Sequence, residues 1–182
     1  MGPTVRELCA DAEPPAWKEP GWFALTVKHQ HERSVEGALS STGVEPFLPL
    51  YRARRRWSDR WKELDAPLFP GYIFGRFAAG ERTRVLRIPG VAGIVGFGGL
   101  PAPVAPRELD SIRAALASKL PIGPWPYPKV GESVRIECGP LRGVQGTLLE
   151  QKDSLRLVIS VELLQRSLAI EVAPEMIAPV RE

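Results

Sequence analysis

Residues 68–77 read LFPGYIFGRF, the most aromatic segment of the chain. Beyond Gly71, the aromatics Tyr72 and Phe74 alternate with Ile73 and Gly75. That pattern predicts a strand buried on one face and still apolar on the other. Upstream, residues 44–51 form a proline-interrupted strand, which argues for an irregular or edge position. Residues 31–41 carry Val35, Ala38 and Leu39 at helical spacing, and Gly43 stops the helix. Residues 22–27 (WFALTV) read as a short strand. Downstream, residues 81–88 are a short helix candidate ended by Pro89 and Gly90, and residues 93–99 are a glycine-rich strand and turn. Residues 106–120 make the best helix: Pro106 opens it, Glu108 and Asp110 sit at its positive end, and Leu109, Ile112, Leu116 and Leu120 form one stripe. The order β-α-β-β-α-β-α predicts an α+β fold, one mixed or antiparallel sheet flanked by helices.

Residues 121–128 (PIGPWPYP) place four prolines within eight positions. Proline removes backbone donors and biases the preceding residue to extended conformations, so a semi-rigid linker is expected here. Beyond it the sequence turns all-β. Residues 133–138, 145–149, 155–161 and 167–172 are strand-like, and four or five short strands in this length suggest a small barrel. Residues 148–168 are also rich in Leu, Glu, Gln and Arg, which are good helix formers. The expected organisation is a disordered tail over residues 1–19, an α+β domain over 20–120, the linker over 121–128 and a β-barrel domain over 129–181.

The chain has 182 residues, 44% apolar and 25% charged, an ordinary globular composition. Basic residues outnumber acidic ones by 24 to 21, and the net charge of +3 excludes a polyanion binder unless the charge is unevenly placed. It is: residues 52–62 (RARRRWSDRWK) hold six basic residues against the single Asp59, net +5 on a slightly acidic remainder. No apolar run approaches the roughly 20 residues that cross a bilayer, and acidic Glu7, Asp11 and Glu13 interrupt any signal-peptide pattern. Two cysteines, Cys9 and Cys138, build neither a disulfide framework nor a four-ligand zinc site. A cytoplasmic protein without membrane association is the expectation.

No catalytic motif is present. Pro101 stands where a dinucleotide-binding loop at Gly96, Gly98 and Gly99 would need its third glycine. There is no phosphate-binding GxxxxGK[ST] loop and no GxSxG elbow. The two histidines, His29 and His31, are two apart and share no helical face. The expectation is a protein without catalysis, metal or cofactor. The basic run reads equally as a solvated hairpin and as a phosphate-contacting flap. Trp57 and Trp61 within it either stack on bases or a partner, or pack under the hairpin. For Phe69, Tyr72 and Phe74, periodicity favours a core role, and an exposed patch for a partner helix is the functional reading.

Residues 22–27 (WFALTV), 68–72 (LFPGY), 88–91 (IPGV) and 95–97 (VGF) resemble, in order, the N-terminal domain of the NusG transcription elongation factors. Residues 130–136 (VGESVRI) and 139–146 (GPLRGVQG) resemble the KOW motif that follows it in that family. Finer features at residues 28–32 (KHQHE), 55–60 (RRWSDR) and 160–167 (SVELLQRS) look most like the UpxY-type, RfaH-like specialised paralogues, associated with antitermination in long polysaccharide operons.

The resemblance implies a monomeric factor that binds the β′ clamp helices of RNA polymerase, bridges toward the β subunit and suppresses pausing and termination. Carried over by motif, the clamp-helix patch includes Tyr72, Phe74, Phe69 and Thr26. Residues 81–83, with Arg82 and Thr83, fall where RfaH touches β. Lys28 matches one basic position that reads non-template DNA in RfaH, and His29, His31, Arg33, Arg54, Arg55, Arg56 and Arg60 are candidates for contacting that DNA or nascent RNA. Leu164 occupies the position through which the KOW domain meets a ribosomal protein or Rho. Two alternatives stand beside this: a general housekeeping NusG, and a ribosome-associated RNA-binding KOW protein. The net charge of −1 over residues 121–182 argues against the second.

Overall fold

The alternation of residues 22–27 sends two sets of side chains to opposite faces, and two separate apolar layers result. In the computed structural model, which describes residues 19–57, 60–125, 132–151, 154–173 and 176–179, strand β1 spans Gly21–Val27. Helix α1 follows over Glu32–Ser41, one residue later than the spacing predicts, and Gly43 ends it at φ +79°. The proline-interrupted run divides: β2 is Glu45–Phe47 and β3 begins at Leu50, running to Trp57. Strand β4 (Arg60–Pro67) returns antiparallel to β3, and β5 is Tyr72–Phe77. A 3-10 turn at Ala79–Glu81 leads into α2, Arg82–Leu86. Then come β6 (Val91–Ile94), β7 (Gly96–Phe97), β8 (Leu100–Pro101) and α3 (Pro106–Ala117). The last helix stops short of the expected residue 120, and Lys119 there takes φ +58°.

Strands β2, β5, β1 and β6 form an antiparallel sheet in that order, with the proline-bearing β2 on its edge as expected. Phe23, Leu25 and Val27 from β1 and Ile73 and Phe77 from β5 face Val35 and Leu39 of α1 and Val85 of α2. The opposite face, with Trp22, Ala24 and Phe74, packs with Leu109, Ile112 and Ala115 of α3. Helices thus cover both sides of the sheet, the α+β arrangement that the element order predicts.

The C-terminal part corrects two expectations. Residues 122–125 lie within the expected linker, yet Ile122–Trp125 form a strand, β9, paired with β13. A proline-rich segment is tolerated there because β9 is an edge strand, where a missing N–H costs no ladder bond. Second, among the described residues the strands do not close into a barrel. Strands β10 (Glu132–Ile136), β11 (Gln145–Gln151), β12 (Ser154–Val161), β13 (Arg166–Val172) and β14 (Ile177–Pro179) join β9 in an open antiparallel sheet ordered β14-β10-β11-β12-β13-β9. No pairing links β14 to β9 among the described residues. Within residues 148–168, the described stretches 148–151 and 154–168 are strand with one 3-10 turn, Glu162–Leu164, rather than helix. The apolar core of this sheet is continuous with the α3 side of the first. Most of the expected tail (residues 1–18), and residues 126–131 of the linker and barrel, lie outside the described residues. Among the described residues no helix is long and apolar enough to cross a membrane.

Candidate functional site

The sheet register decides which of the expected patch residues face the same way. Across β1 and β5, Trp22 stands opposite Arg76, Ala24 opposite Phe74 and Thr26 opposite Tyr72. Side chains two apart on a strand share a face, so Trp22, Ala24, Thr26, Tyr72 and Phe74 form one surface. Its two ends differ. At one end the rings are layered: Trp22 meets Phe47 edge-on at 6.4 Å, Phe47 stacks on Phe74 at 6.0 Å, and Phe69 meets Phe74 edge-on at 6.1 Å. The Arg113 guanidinium of α3 caps this end, 4.9 Å from the centroids of both Trp22 and Phe47. Phe74 and Phe69 are buried, 0% and 2% exposed. At the other end Tyr72 and Thr26 are half-exposed. Gly93 of β6 stands opposite Thr26 and extends the row without adding a side chain. Of the four expected patch residues, Tyr72 and Thr26 are therefore partly accessible, while Phe69 and Phe74 are buried at the other end of the face.

The turn that presents Tyr72 is fixed from below. Gly71 takes φ +83°, a conformation that favours glycine, and its N–H donates to Glu32 Oε1 at 2.9 Å. Its carbonyl accepts from the Val27 N–H at 2.9 Å, and the Tyr72 N–H donates to the Phe69 carbonyl at 3.1 Å. Glu32 is only 5% exposed, so its carboxylate is committed to this turn.

The basic candidates gather at an adjoining corner. Lys28, His29, His31 and Arg33 are all exposed around the start of α1. The Lys28 N–H donates to the Gly90 carbonyl at 2.8 Å, His31 Nδ1 lies 3.0 Å from the His29 carbonyl, and Gln30 between the histidines takes φ +62°. Arg33 reaches Asp65 on β4 at 3.7 Å, which ties the corner to the base of the basic hairpin. In that hairpin Arg52 opposes Asp65, Arg54 opposes Glu63 and Arg55 opposes Lys62. Arg54 pairs with Glu63 at 3.2 Å and Arg52 approaches the same carboxylate at 3.9 Å. The base of the hairpin is therefore balanced, and the unbalanced charge of the sequence falls toward its tip. The side chains of Arg55, Arg56, Trp57, Arg60 and Trp61 lie outside the described residues.

The remaining candidates sit apart. Arg82, on α2, donates to the Gly99 carbonyl at 3.3 Å, and Thr83 beside it is exposed. Leu164 is 7% exposed and belongs to the continuous core, with Leu163 half-buried beside it. Next to that turn, the Glu162 N–H lies 3.4 Å from Glu108 Oε1 of α3. Burial raises the Glu108 carboxyl above its ordinary value, and the Glu162 charge adds to the rise; the Glu162 N–H and Arg107 oppose it. Reasoning from the sequence did not single out Trp22, Phe47, Glu32 or Arg113. The alternation of residues 22–27 carries the signal for Trp22. For Phe47 and Glu32 the partner is set by strand pairing and by a turn 39 positions away.

Comparison with known proteins supplies the frame. The sequence model of the NusG family, described as transcription termination factor nusG, matches residues 20–113. The chain is 31% identical to the transcription termination/antitermination protein NusG of Vibrio vulnificus over 134 residues, covering 70% of each chain. It is 28% identical over 152 residues to the protein of the same name from Halalkalibacterium halodurans, covering 80% of this chain and 85% of the relative. A solved structure titled "Domain interaction in Thermotoga maritima NusG" superposes with a TM-score of 0.56 at 23% identity, over 90% of this chain and 99% of the other, and so shares the fold. The matched region contains the Tyr72 row, the exposed corner and the basic hairpin, and the chain belongs to the NusG family.

Proposed function

We propose that this protein is a transcription elongation and antitermination factor that binds RNA polymerase through the Tyr72–Thr26 end of its aromatic face and has no catalysis of its own. The observation that carries this reading is the half-exposed Tyr72 on a hydrogen-bonded turn, next to a buried aromatic cluster on the same sheet face and within the family-matched region. A pre-ordered aromatic loses little conformational freedom on binding, which suits it to anchor a partner helix. The clamp helices of β′ are the proposed partner, and Arg82 and Thr83 face a second contact on β. Residues 20–120 act as the polymerase-binding module, and residues 129–181 as a KOW module that meets a ribosomal protein or Rho at the Glu162–Leu164 turn, where the buried Leu164 shapes the turn from inside. Nucleic acid, as non-template DNA or nascent RNA, meets the corner formed by Lys28, His29, His31 and Arg33 together with the hairpin.

The specialised role, antitermination in a long polysaccharide-type operon, rests on the resemblance of residues 28–32, 55–60 and 160–167 to the UpxY-type paralogues. A gene position at the head of such a cluster supports it, and a position beside general translation genes favours the housekeeping factor. The test of the main reading is pull-down of RNA polymerase with the full chain and with Tyr72→Glu. Polymerase retained by the wild type and lost by the variant supports the reading; equal retention by both, or by neither, overturns it.

A further inference from the structure

The proline-bearing strand β9 touches both halves of the molecule. It pairs with β13 over four positions: Ile122 opposite Ile170, Gly123 opposite Ala169, Pro124 opposite Leu168 and Trp125 opposite Ser167. The same strand lies beside β3, the first strand of the basic hairpin. The half-buried Ile122 packs with the core that holds Leu168 and Ile170. Nearby, α3 touches β12, and the Glu162 N–H lies 3.4 Å from Glu108 Oε1.

The composition of β9 makes it easy to detach. Pro121 and Pro124 bring no N–H to a ladder, and Gly123 presents no side chain against Ala169. A Cβ at Gly123 would meet nothing within 4 Å. A cleft of about 240 Å³ opens beside the strand, lined by Pro121, Gly123, Pro124, Ala169 and the ion pair of Arg156 with Glu171. Among the described side chains of β9, Ile122 alone packs into the core. A four-residue strand held by so little opens locally at low free energy. The rest of the sheet has its own core in Val134, Ile136, Leu157, Ile159, Leu168 and Ile170.

Connection lengths give that opening a consequence. Helix α3 ends at Ala117 and β9 starts at Ile122, so residues 118–121 are the whole connection and span at most about 14 Å. While β9 is paired, the C-terminal sheet therefore stays beside α3. Strand β10 starts at Glu132, so with β9 released the connection becomes residues 118–131, at most about 50 Å. Effective concentration falls with roughly the 3/2 power of tether length, so release lowers it about sixfold. The Ile122 packing is lost in addition.

We propose that β9 is a releasable strap. Paired with β13, it holds the C-terminal sheet against α3 and β3; released, it frees that sheet, still folded, on the longer tether. The strap works the same way whichever partner the chain binds.

Backbone nitrogen-15 relaxation and native-state hydrogen exchange test this on the full chain, as wild type, Ile122→Asp and Gly123→Val. In wild type, β5 and β12 tumble with one correlation time, and the β13 amides facing β9 exchange faster than those facing β12. Ile122→Asp puts a charge at the core edge and detaches the strap. It gives β12 a shorter correlation time than β5, with the β12–β13 cross-strand contacts retained. Gly123→Val adds a strand-favouring side chain in open space and slows exchange at the β9 edge about fivefold. Separate correlation times in wild type, equal protection of both β13 edges, or a common correlation time in Ile122→Asp overturns the strap. Loss of the β12–β13 contacts in Ile122→Asp also overturns it, because β9 is then an integral strand. Unchanged exchange in Gly123→Val does the same.

Discussion

The Glu32 carboxylate accepts a hydrogen bond of 2.9 Å from the backbone N–H of Gly71, joining the first turn of α1 to the turn that presents Tyr72. The exposed corner carrying His31 and Arg33 and the accessible end of the aromatic face are consequently parts of one body. Glu32→Ala leaves the Gly71 N–H without its acceptor in a half-buried site, at a cost of about 1–3 kcal/mol. Glu32→Gln keeps an acceptor oxygen and costs less. Denaturant unfolding gives the stability order wild type, Gln, Ala, and polymerase affinity follows the same order.

Phe74 and Tyr72 belong to one face but respond differently to truncation. Phe74→Ala empties a fully buried site and destabilises by about 3–5 kcal/mol. Tyr72→Ala, at the half-exposed end, costs about 1 kcal/mol. In a polymerase pull-down paired with thermal unfolding, Tyr72→Ala loses binding while still folded. A charge at Phe74 abolishes binding by unfolding the sheet, so it is a poor probe of contact.

The hairpin base is electrostatically balanced, with Arg54 paired to Glu63, and Arg52 set opposite Asp65 and approaching Glu63. The Arg52, Arg54 and Glu63 side chains are well exposed, and such pairs contribute about 0–1 kcal/mol. Glu63→Gln therefore leaves stability nearly unchanged while removing one negative charge, which raises the hairpin's net charge by one. Fluorescence anisotropy with single-stranded DNA shows tighter binding and a steeper salt dependence than wild type.

Glu108 titrates above its ordinary value of 4.5, chiefly because it is buried against the C-terminal sheet. A carboxyl with a raised native value holds more protons in the folded than in the unfolded chain just above that pH. Stability then falls as pH rises through this window, since ionisation costs more in the native state. Glu108→Gln removes that slope and raises the unfolding temperature slightly at neutral pH. Unfolding of wild type and variant across the window, compared pairwise, reads the effect.

Much of this architecture was legible in local patterns. The alternation of residues 22–27, the spacing of Val35 and Leu39, and Pro106 followed by the Leu109–Ile112 stripe each specify one element, and each element forms. Phe74 was harder. Its strand is apolar on both faces, and periodicity does not say which apolar face a distant helix will cover; α3 supplies that answer from more than thirty residues away. The hairpin charge was legible as a sum and not as a distribution, because the pairing of Arg54 with Glu63 depends on register. The strand at Ile122–Trp125 ran against local rules, since proline propensity forbids a central strand and is silent on an edge one. The open sheet was invisible for a similar reason: strand spacing counts strands and does not decide closure.

Among the described residues the C-terminal sheet has two rims with no paired strand, and such a rim invites a strand from another copy of the chain. Both rims of the C-terminal sheet end in proline-bearing strands, Pro124 in β9 and Pro179 in β14. A proline has no N–H to offer an incoming strand, and β9 and β14 are only four and three residues long. Short, proline-marked rims resist edge-to-edge polymerisation. The proline excess of this sequence thus does more than separate its parts: it keeps an open sheet from recruiting its own kind.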